Sequence, residues 1–284
     1  NATQSVTINV TDLYEPSQPP HTIQAASNLE MIWVEPGTFT MGSPTSEPGR
    51  NANETEHNVT LTKGFYLGKY EVTQAQYEAV MTGVTGDRNA TPSNWPNNPN
   101  RPVESVSWDD IQVFLSRLNA AEQAAGRLPA GWSYVLPTES QWEYACRAGT
   151  TTAYFWGATI ATTNANYFND SAIYQTADVG QYAANPWGFF DMHGNVWEWT
   201  ADRYGNYPTG NPEIDPPGAA SGSHRVERGG SWVQGGTDLR SAERNNVHPS
   251  NRYVVLGFRL AFRQNSTPTN LNFTIPLTIA ENQP

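Results

Sequence analysis

Two long stretches, residues 150–186 and 201–227, are crowded with Gly, Asn, Thr and Pro and keep no helical or alternating period. Loops longer than about 15 residues inside a compact domain need something to hold them, whether a metal, a ligand or buried aromatic rings. A disulfide cannot serve, because Cys146 is the one cysteine in 284 residues, and a multi-cysteine zinc site is excluded for the same reason. Large rings are abundant instead: 10 Trp, 13 Tyr and 10 Phe within a total of 37% hydrophobic residues. The core is therefore expected to rest on aromatics more than on aliphatics.

The formal charge of -11, with no run of Lys or Arg, repels a phosphate backbone and argues against nucleic acid as a partner. Divalent cations suit that charge better. No segment reaches the roughly 18 to 20 apolar residues of a membrane span, and the first residues lack the basic start and apolar run of a signal peptide. Any anchor or address is expected outside this sequence, and one cysteine leaves the redox compartment open.

Residues 5–11 alternate apolar and polar and are rich in β-branched side chains, which reads as a half-buried strand. Pro16, Pro19 and Pro20 then mark a linker, so the main domain is expected to start near residue 28. Residues 272–279 alternate again after a polar stretch from Arg263 to Asn270. The division is thus 1–27, 28–263 and 264–284, the outer two being pieces of neighbouring modules or edge strands of the main domain. Residues 6–15 resemble the last strand and calcium linker of a cadherin-like repeat, and Thr278 to Asn282 resembles the opening of the next.

Between the tails, Met31 to Met41 predicts two short strands around a Pro36-Gly37 turn, and Leu61 to Tyr70 predicts another. Three helices have capped starts: Thr73 before Gln74 to Met81, Ser107 before Trp108 to about Ala125, and Thr138 before Glu139 to Arg147. Thr138 with Gln141 makes a capping box in the third.

Several motifs follow in a fixed order: Trp33 to Ser43, Tyr70 to Gln74, Pro102 to Trp108, Leu136 to Arg147, Gly188 to Thr200, and Arg228 to Trp232 through Gly257 to Arg259. Together they resemble the formylglycine-generating enzyme, or sulfatase-modifying factor, family. The resemblance covers about residues 30–263 and implies an α+β, C-type-lectin-like fold with little regular structure, few short helices and small antiparallel sheets. Glu139, Glu143 and Glu198, with Arg147, Arg228, Arg244 and Arg259, are expected as buried pairs that pin loops.

The resemblance also implies calcium. Calcium takes several oxygen ligands at about 2.3 to 2.6 Å, and a short irregular turn offers two carboxylates with carbonyls between them. The matching donors are the carboxylates of Asp191 and Glu198 and the carbonyls of Gly194 and Val196, with Asp191 where some relatives have Asn. The alternative is a metal-free hydrogen-bonded turn. A second family site would begin with Asn166 and the carbonyl of Tyr167, its remaining ligands unplaced because residues 169–178 do not align.

The family's namesake oxidation needs two cysteines shortly after the Gly-Gly-Ser motif to hold copper(I). Soft thiolates suit that ion, and no cysteine follows Cys146 here, so neither copper nor that activity is expected. Cys146, inside the third helix, reads as a small buried hydrophobe. The five histidines show no metal-helix spacing, and neither a nucleophile elbow nor a phosphate-binding glycine loop is present.

What remains is a polar loop, Ser241 to Leu256, held between Leu239-Arg240 and Gly257 to Arg259. Amides, an Arg, a His and a Tyr on a rigidly anchored loop form a surface for a polar ligand, glycan or protein. The candidate face comprises Ser231, Trp232, Gln234, Asn245, Asn246, His248, Asn251, Arg252 and Tyr253. Its spacing resembles the variable region of C-type-lectin-like proteins diversified by retroelements; for His248 the alternative is a solvated loop residue. The expected function is a non-oxidase, calcium-stabilised recognition domain of a larger extracellular or cell-surface protein. The alternatives are an enzyme of the same fold with different chemistry, such as an iron-dependent or tailoring oxidase, and a structural spacer. Eight Asn-x-Ser/Thr sequons leave glycosylation open.

Overall fold

Each helix begins where a side chain replaces the missing backbone partners. Thr73 opens α1 (Gln74–Met81), Ser107 opens α2 (Trp108–Ala124) and Thr138 opens α3 (Glu139–Arg147). All three starts are capping boxes, closed by Gln76, Asp110 and Gln141. The computed structural model describes residues 21–169, 172–208 and 212–265. The strands expected at 5–11 and 272–279, with the cadherin-like tails, lie outside the described residues.

The packed body reaches further toward the N-terminus than residue 28. Strand β1 (His21–Ile23) pairs antiparallel with β2 (Leu29–Val34), placing His21 opposite Met31. Ile23 and Ala26 are fully buried, and His21 stacks on Phe262 at 5.0 Å while meeting the Tyr134 hydroxyl at 2.8 Å. Residues 21–27, expected to lie before the main domain, therefore belong to the packed body, because these side chains complete the core.

The expected strand over Leu61 to Tyr70 is two strands in different sheets. β3 (Gly37–Met41) pairs with β4 (His57–Leu61), which runs parallel to β8 (Glu213–Ile214). β5 (Phe65–Gly68) leaves that sheet and joins β2. The break falls at Gly64, whose backbone lies against the Trp33 indole so closely that a Cβ would overlap the ring. Thr62 is fastened across the gap by Asp215, which accepts from its amide at 2.8 Å and from its hydroxyl.

Three small sheets result. The largest has the order β1-β2-β5-β12-β6, with β6 (Trp132–Val135) and β12 (Ala261–Gln264). A second has the order β10-β9-β7-β11, built from β7 (Trp197–Arg203), β9 (Arg225–Arg228), β10 (Arg244–Val247) and β11 (Leu256–Gly257). β11 runs parallel to β7; the other pairings of this sheet are antiparallel. The class is α+β, as expected.

Aromatic packing fills the space between sheets and helices. Tyr77 stacks on Phe114 at 5.4 Å, Phe258 meets both edge-on, and Trp197 and Trp199 join the same cluster. A second cluster gathers Trp142, Phe65, Phe189 and Cys146 beneath α3. The unperiodic stretch 150–186 is held partly by rings of its own, with Tyr154 and Trp156 stacked at 5.1 Å and His193 edge-on to both. No described helix is long and apolar enough to cross a membrane.

Candidate functional site

α3 is polar in sequence yet buried on all sides except at Tyr144. Its carboxylates survive there because guanidinium groups reach them. Arg244 grips Glu139 with two bonds of 2.7 Å, Arg228 and Arg147 both bond Glu143, and Arg259 grips Glu198 with two bonds of 2.6 Å. Burial opposes the charge on Glu139, but Arg244 and Arg228 hold its carboxyl below the usual range. The Glu and Arg residues expected as buried pairs are thus paired. Their effect is to fix β9, the Gly229-Gly230 turn and β10 against α3.

The turn from Asp191 to Glu198 is held in an uncommon backbone. Asp191 and Asn195 are left-handed, at φ 56° and 64°, and Gly194 lies at φ 92° where a side chain would strike the Asn166 carbonyl. Asn195 fixes this shape. Its amide donates to Asn166 O at 2.9 Å, its carbonyl accepts from Trp232 N at 3.0 Å, and its Nδ2 donates to Glu71 at 2.7 Å. Its Oδ1 accepts from Ala177 N at 2.9 Å and from Asn166 Nδ2 at 3.2 Å. One residue, through its backbone and side chain, therefore joins both candidate metal segments, the α1 approach and the loop carrying Trp232.

Charge around this turn is unbalanced. Glu71, Asp191 and Glu198 are buried together, with Arg259 as the guanidinium among them. Glu198 is already committed to Arg259 and to Trp142 Nε1 at 2.8 Å. Asp191 receives only the Gly180 amide, at 2.6 Å, and burial pushes its carboxyl up to about 6. Burial also raises Glu71 well above its ordinary value, with Asp191 adding repulsion. This oxygen-rich, negatively biased donor set fits a hard divalent cation in charge and chemistry. Among the described residues, no three His, Cys, Asp or Glu side chains are grouped to hold an ion by themselves, so backbone carbonyls would have to contribute. At the other segment, the Tyr167 carbonyl accepts from Asn169 Nδ2 at 2.7 Å and Asn166 Nδ2 donates to Gln175 O at 2.9 Å.

The thiol is buried and inert. Cys146 Sγ lies 3.6 Å from His193 Nε2, and burial pushes it up to about 12, so it keeps its proton at neutral pH. His193 is held neutral by burial, its pKa lowered to about 4, with Nδ1 2.6 Å from Leu239 O. Leu239 is wholly buried.

The candidate ligand residues fall into three groups. Ser231 is fully buried and its hydroxyl donates to Gln234 Oε1, closing the turn on which Trp232 stands. Trp232 donates weakly to Val254 O at 3.4 Å, and Asn251 Nδ2 reaches the Tyr253 hydroxyl at 2.9 Å on the same side. Asn245 and Asn246 lie on β10, where Asn245 Nδ2 donates to the buried Glu227 at 2.8 Å. His248 is exposed, 2.8 Å from Ser250 Oγ and 6.0 Å between ring centres from His224. Arg252 turns from the rim to clamp Asp110 at 2.7 and 2.8 Å.

Sequence reasoning missed the apolar part of this surface. Seven large hydrophobic side chains are exposed among the described residues. Four of them, Phe168, Tyr174, Val233 and Val254, are tied to the Ser231–Gln234 turn, at 37% to 61% exposure. Phe168 N donates to Gln234 O at 2.9 Å, Tyr174 meets the Phe168 ring at 5.9 Å, and Trp95 stands edge-on to Trp232 at 5.2 Å. Trp95 is placed by the buried Glu104, which accepts from Asn94 N at 2.5 Å and Trp95 N at 3.4 Å. The available signal was Phe168, Ile173 and Tyr174 inside an otherwise polar stretch.

These features define a sulfatase-modifying-factor fold whose Gly-Gly-Ser turn carries rings and amides. Residues 17–264 match the family model described as "Sulfatase-modifying factor enzyme 1-like domain", and the chain belongs to that family. It is 27% identical over 292 residues to formylglycine-generating enzyme of Mus musculus, covering 82% of this chain and 74% of that enzyme. Among solved structures, PvdO from Pseudomonas aeruginosa is similar with a TM-score of 0.74 and 28% identity, covering 87% of this chain and 98% of PvdO. Treponema denticola variable protein 1 is similar with a TM-score of 0.71 and 27% identity, covering 87% and 99%.

Proposed function

We propose that this chain is a non-oxidase, calcium-stabilised recognition domain of a larger extracellular surface protein, contacting its ligand around Ser231–Gln234. The observation that carries the reading is the gathering of the exposed Phe168, Tyr174, Val233 and Val254 at that turn. Contiguous exposed apolar surface rimmed by polar groups marks interaction sites in soluble proteins. Here the rim is supplied by Asn251 and Gln234. A protein named as variable shares this fold at 27% identity, in keeping with the resemblance of residues 241–256 to the variable region of diversified C-type-lectin-like proteins.

Calcium would be held by Asp191, Glu198 and the carbonyls of Gly194 and Val196, with Asn166 and Tyr167 as the start of a second position. When bound it supplies positive charge to a buried carboxylate cluster. The protein's own part is the turn: Asn195 transmits its order directly to Trp232 through one hydrogen bond.

Metal analysis and array binding test this together. Purified domain is expected to carry calcium rather than copper or iron, and to bind members of a glycan or peptide array. Val233→Asp should abolish that binding while leaving the Tm unchanged, because Val233 is exposed. Conversion of a sulfatase peptide to its aldehyde by the purified domain would overturn the reading, as would full array binding by Val233→Asp.

A second reading, an enzyme of different chemistry, is favoured by one observation. A cleft of about 230 Å³ is lined by Asp202, Glu139, Arg244 and Tyr207, and burial with the neighbouring Glu139 charge pushes Asp202 up to about 7. Perturbed acids in clefts are candidate proton donors. Stoichiometric iron or copper in the purified protein would favour this reading over the first.

A further inference from the structure

A separate cleft of about 240 Å³ opens beside the recognition face, lined by Tyr77, Asp87, Asn89, Ser105, Asp110 and Arg252. Tyr77 is almost completely buried, its ring packed between Phe114 and Phe258. Its ring is sealed in the core but it also lines the cleft, and no hydrogen bond from its hydroxyl to a described residue is seen. Burial and the Asp110 charge push that hydroxyl well above its ordinary value, so it is a neutral donor at every physiological pH.

The remaining groups show which kind of ligand is missing. Asp110 is saturated: Oδ2 accepts from Ser107 N, Ser107 Oγ and Arg252 Nε, and Oδ1 accepts from Arg252 Nη2. Asp110 is thus committed to Ser107 and Arg252, and Asp87 is the exposed carboxylate at the cleft's edge. Arg88 lies 3.7 Å from both Asp110 and the exposed Asp87, and its buried Nε has no hydrogen-bond partner. Arg252 uses Nε and Nη2 on Asp110, which leaves Nη1 uncommitted on a side chain 41% exposed. The two carboxylates balance the two guanidinium groups in charge, so the uncommitted donors decide. The two donors that face the cleft, Tyr77 Oη and Arg252 Nη1, call for an acceptor, while Arg88 stands behind Asp110 and offsets its charge.

We propose that this cleft is a carboxylate subsite, with the Tyr77 hydroxyl and the Arg252 guanidinium receiving the carboxylate of a ligand no larger than a monosaccharide acid or an acidic side chain. The cleft is preorganised for that task. Asp110 caps α2 and simultaneously fixes Arg252, so little side-chain freedom is lost on binding. Ser105 lines the cleft in a left-handed backbone at φ 61° and its amide donates to Tyr253 O at 3.0 Å, which joins this subsite to the apolar rim. The proposal deepens the recognition reading and rests on it for biological use, but the subsite itself can be titrated without the apolar patch.

The test is an NMR titration of the whole chain with D-glucuronate, with the blocked amino acid N-acetyl-glutamate amide as a second carboxylate source, and with D-glucose as the uncharged control. Binding of either carboxylate in the millimolar range is expected, with glucose silent. Tighter binding of glucuronate names a sugar acid as the source, and tighter binding of the glutamate derivative names a side chain. Tyr77→Phe keeps the ring stack and removes one oxygen that bonds nothing in the free protein, so it should fold normally and weaken binding about tenfold. Arg252→Lys, which keeps the charge beside Asp110 but removes the Nη1 donor, should weaken it independently, and Val233→Asp should leave it unchanged even where array binding is lost. Equal affinity for glucose and glucuronate, no binding of either carboxylate, or undiminished binding by folded Tyr77→Phe overturns the proposal.

Discussion

Replacing Arg244 by Met removes a guanidinium that is almost fully buried while keeping much of its volume. Arg244 makes two bonds of 2.7 Å to Glu139 and one of 2.8 Å to Gly205 O, and its guanidinium lies 3.9 Å from the Tyr207 ring centre. Deleting one partner of a buried pair costs about 3–5 kcal/mol, chiefly because the other charge stays behind. Glu139 has one escape, which is to take up a proton. From an ordinary Glu value near 4.3, that costs about 3.7 kcal/mol at pH 7 and caps the loss. Arg228, 3.5 Å away, and the Tyr207 hydroxyl at 2.9 Å soften it further. The expected destabilisation is about 3–4 kcal/mol, or a Tm lowered by roughly 6–16 °C at about 2–4 °C per kcal/mol for a domain of this size. Its pH dependence is diagnostic. In the native protein the depressed Glu139 contributes stability above its unfolded value, and loses it as pH falls through the folded value. In Arg244→Met burial dominates, the folded value rises, and the sign reverses. Urea melts at pH 7 and pH 5 should therefore show the deficit shrinking toward acid, by about 1.4 kcal/mol per pH unit at most. A loss under about 1 kcal/mol at pH 7, or a deficit that grows on acidification, would refute the pairing argument.

Asp202 provides a second pH test. Its folded value near 7 lies above the ordinary Asp value, so the folded state keeps a proton that the unfolded chain releases, and stability falls from about pH 4 to pH 7. Asp202→Asn can still accept from Glu139 N, and should be more stable than the native protein at pH 8, by up to about 4 kcal/mol, with the two curves meeting near pH 4. Gly64→Ala should cost about 1–3 kcal/mol in denaturant melts, because its Cβ overlaps Trp33; a neutral result would mean that the turn moves freely. Calcium in hundredfold excess over its Kd should stabilise the domain by about 2.7 kcal/mol, an effect that Asp191→Asn diminishes; a Tm indifferent to calcium and to chelator sinks the cation assignment.

The helices were legible because their signals are local. Thr73, Ser107 and Thr138 announce their starts within four residues, and all three act as caps in the structure. The pairing of acidic and basic residues was legible in kind, since a charge inside an aromatic core must find a partner. Which partner was not: Glu143 is shared between Arg228, 85 positions away, and Arg147, four positions away. The Gly64 break was missed because its cause is Trp33, a remote ring. Ile23 and Ala26 likewise looked like linker, because only the folded body shows what they cover. Strands depend on neighbours, and β4 and β5 part company for partners that lie far along the chain.

The candidate site divides in the same way. Residue type alone set what the chain can do chemically: one cysteine followed by none after the Gly-Gly-Ser turn, a surplus of carboxylates, and amides at residues 245–251. Tertiary structure decided what those groups face. It turned Arg252 inward onto Asp110, left the Tyr77 hydroxyl without a protein partner, placed Glu71 beside Asp191, and gathered rings from three separate segments around Trp232. The physical reason is range. Caps, turns and thiol chemistry act within a few bonds of the residue that carries them, whereas burial, charge balance and exposed apolar area are sums over neighbours that only folding brings together.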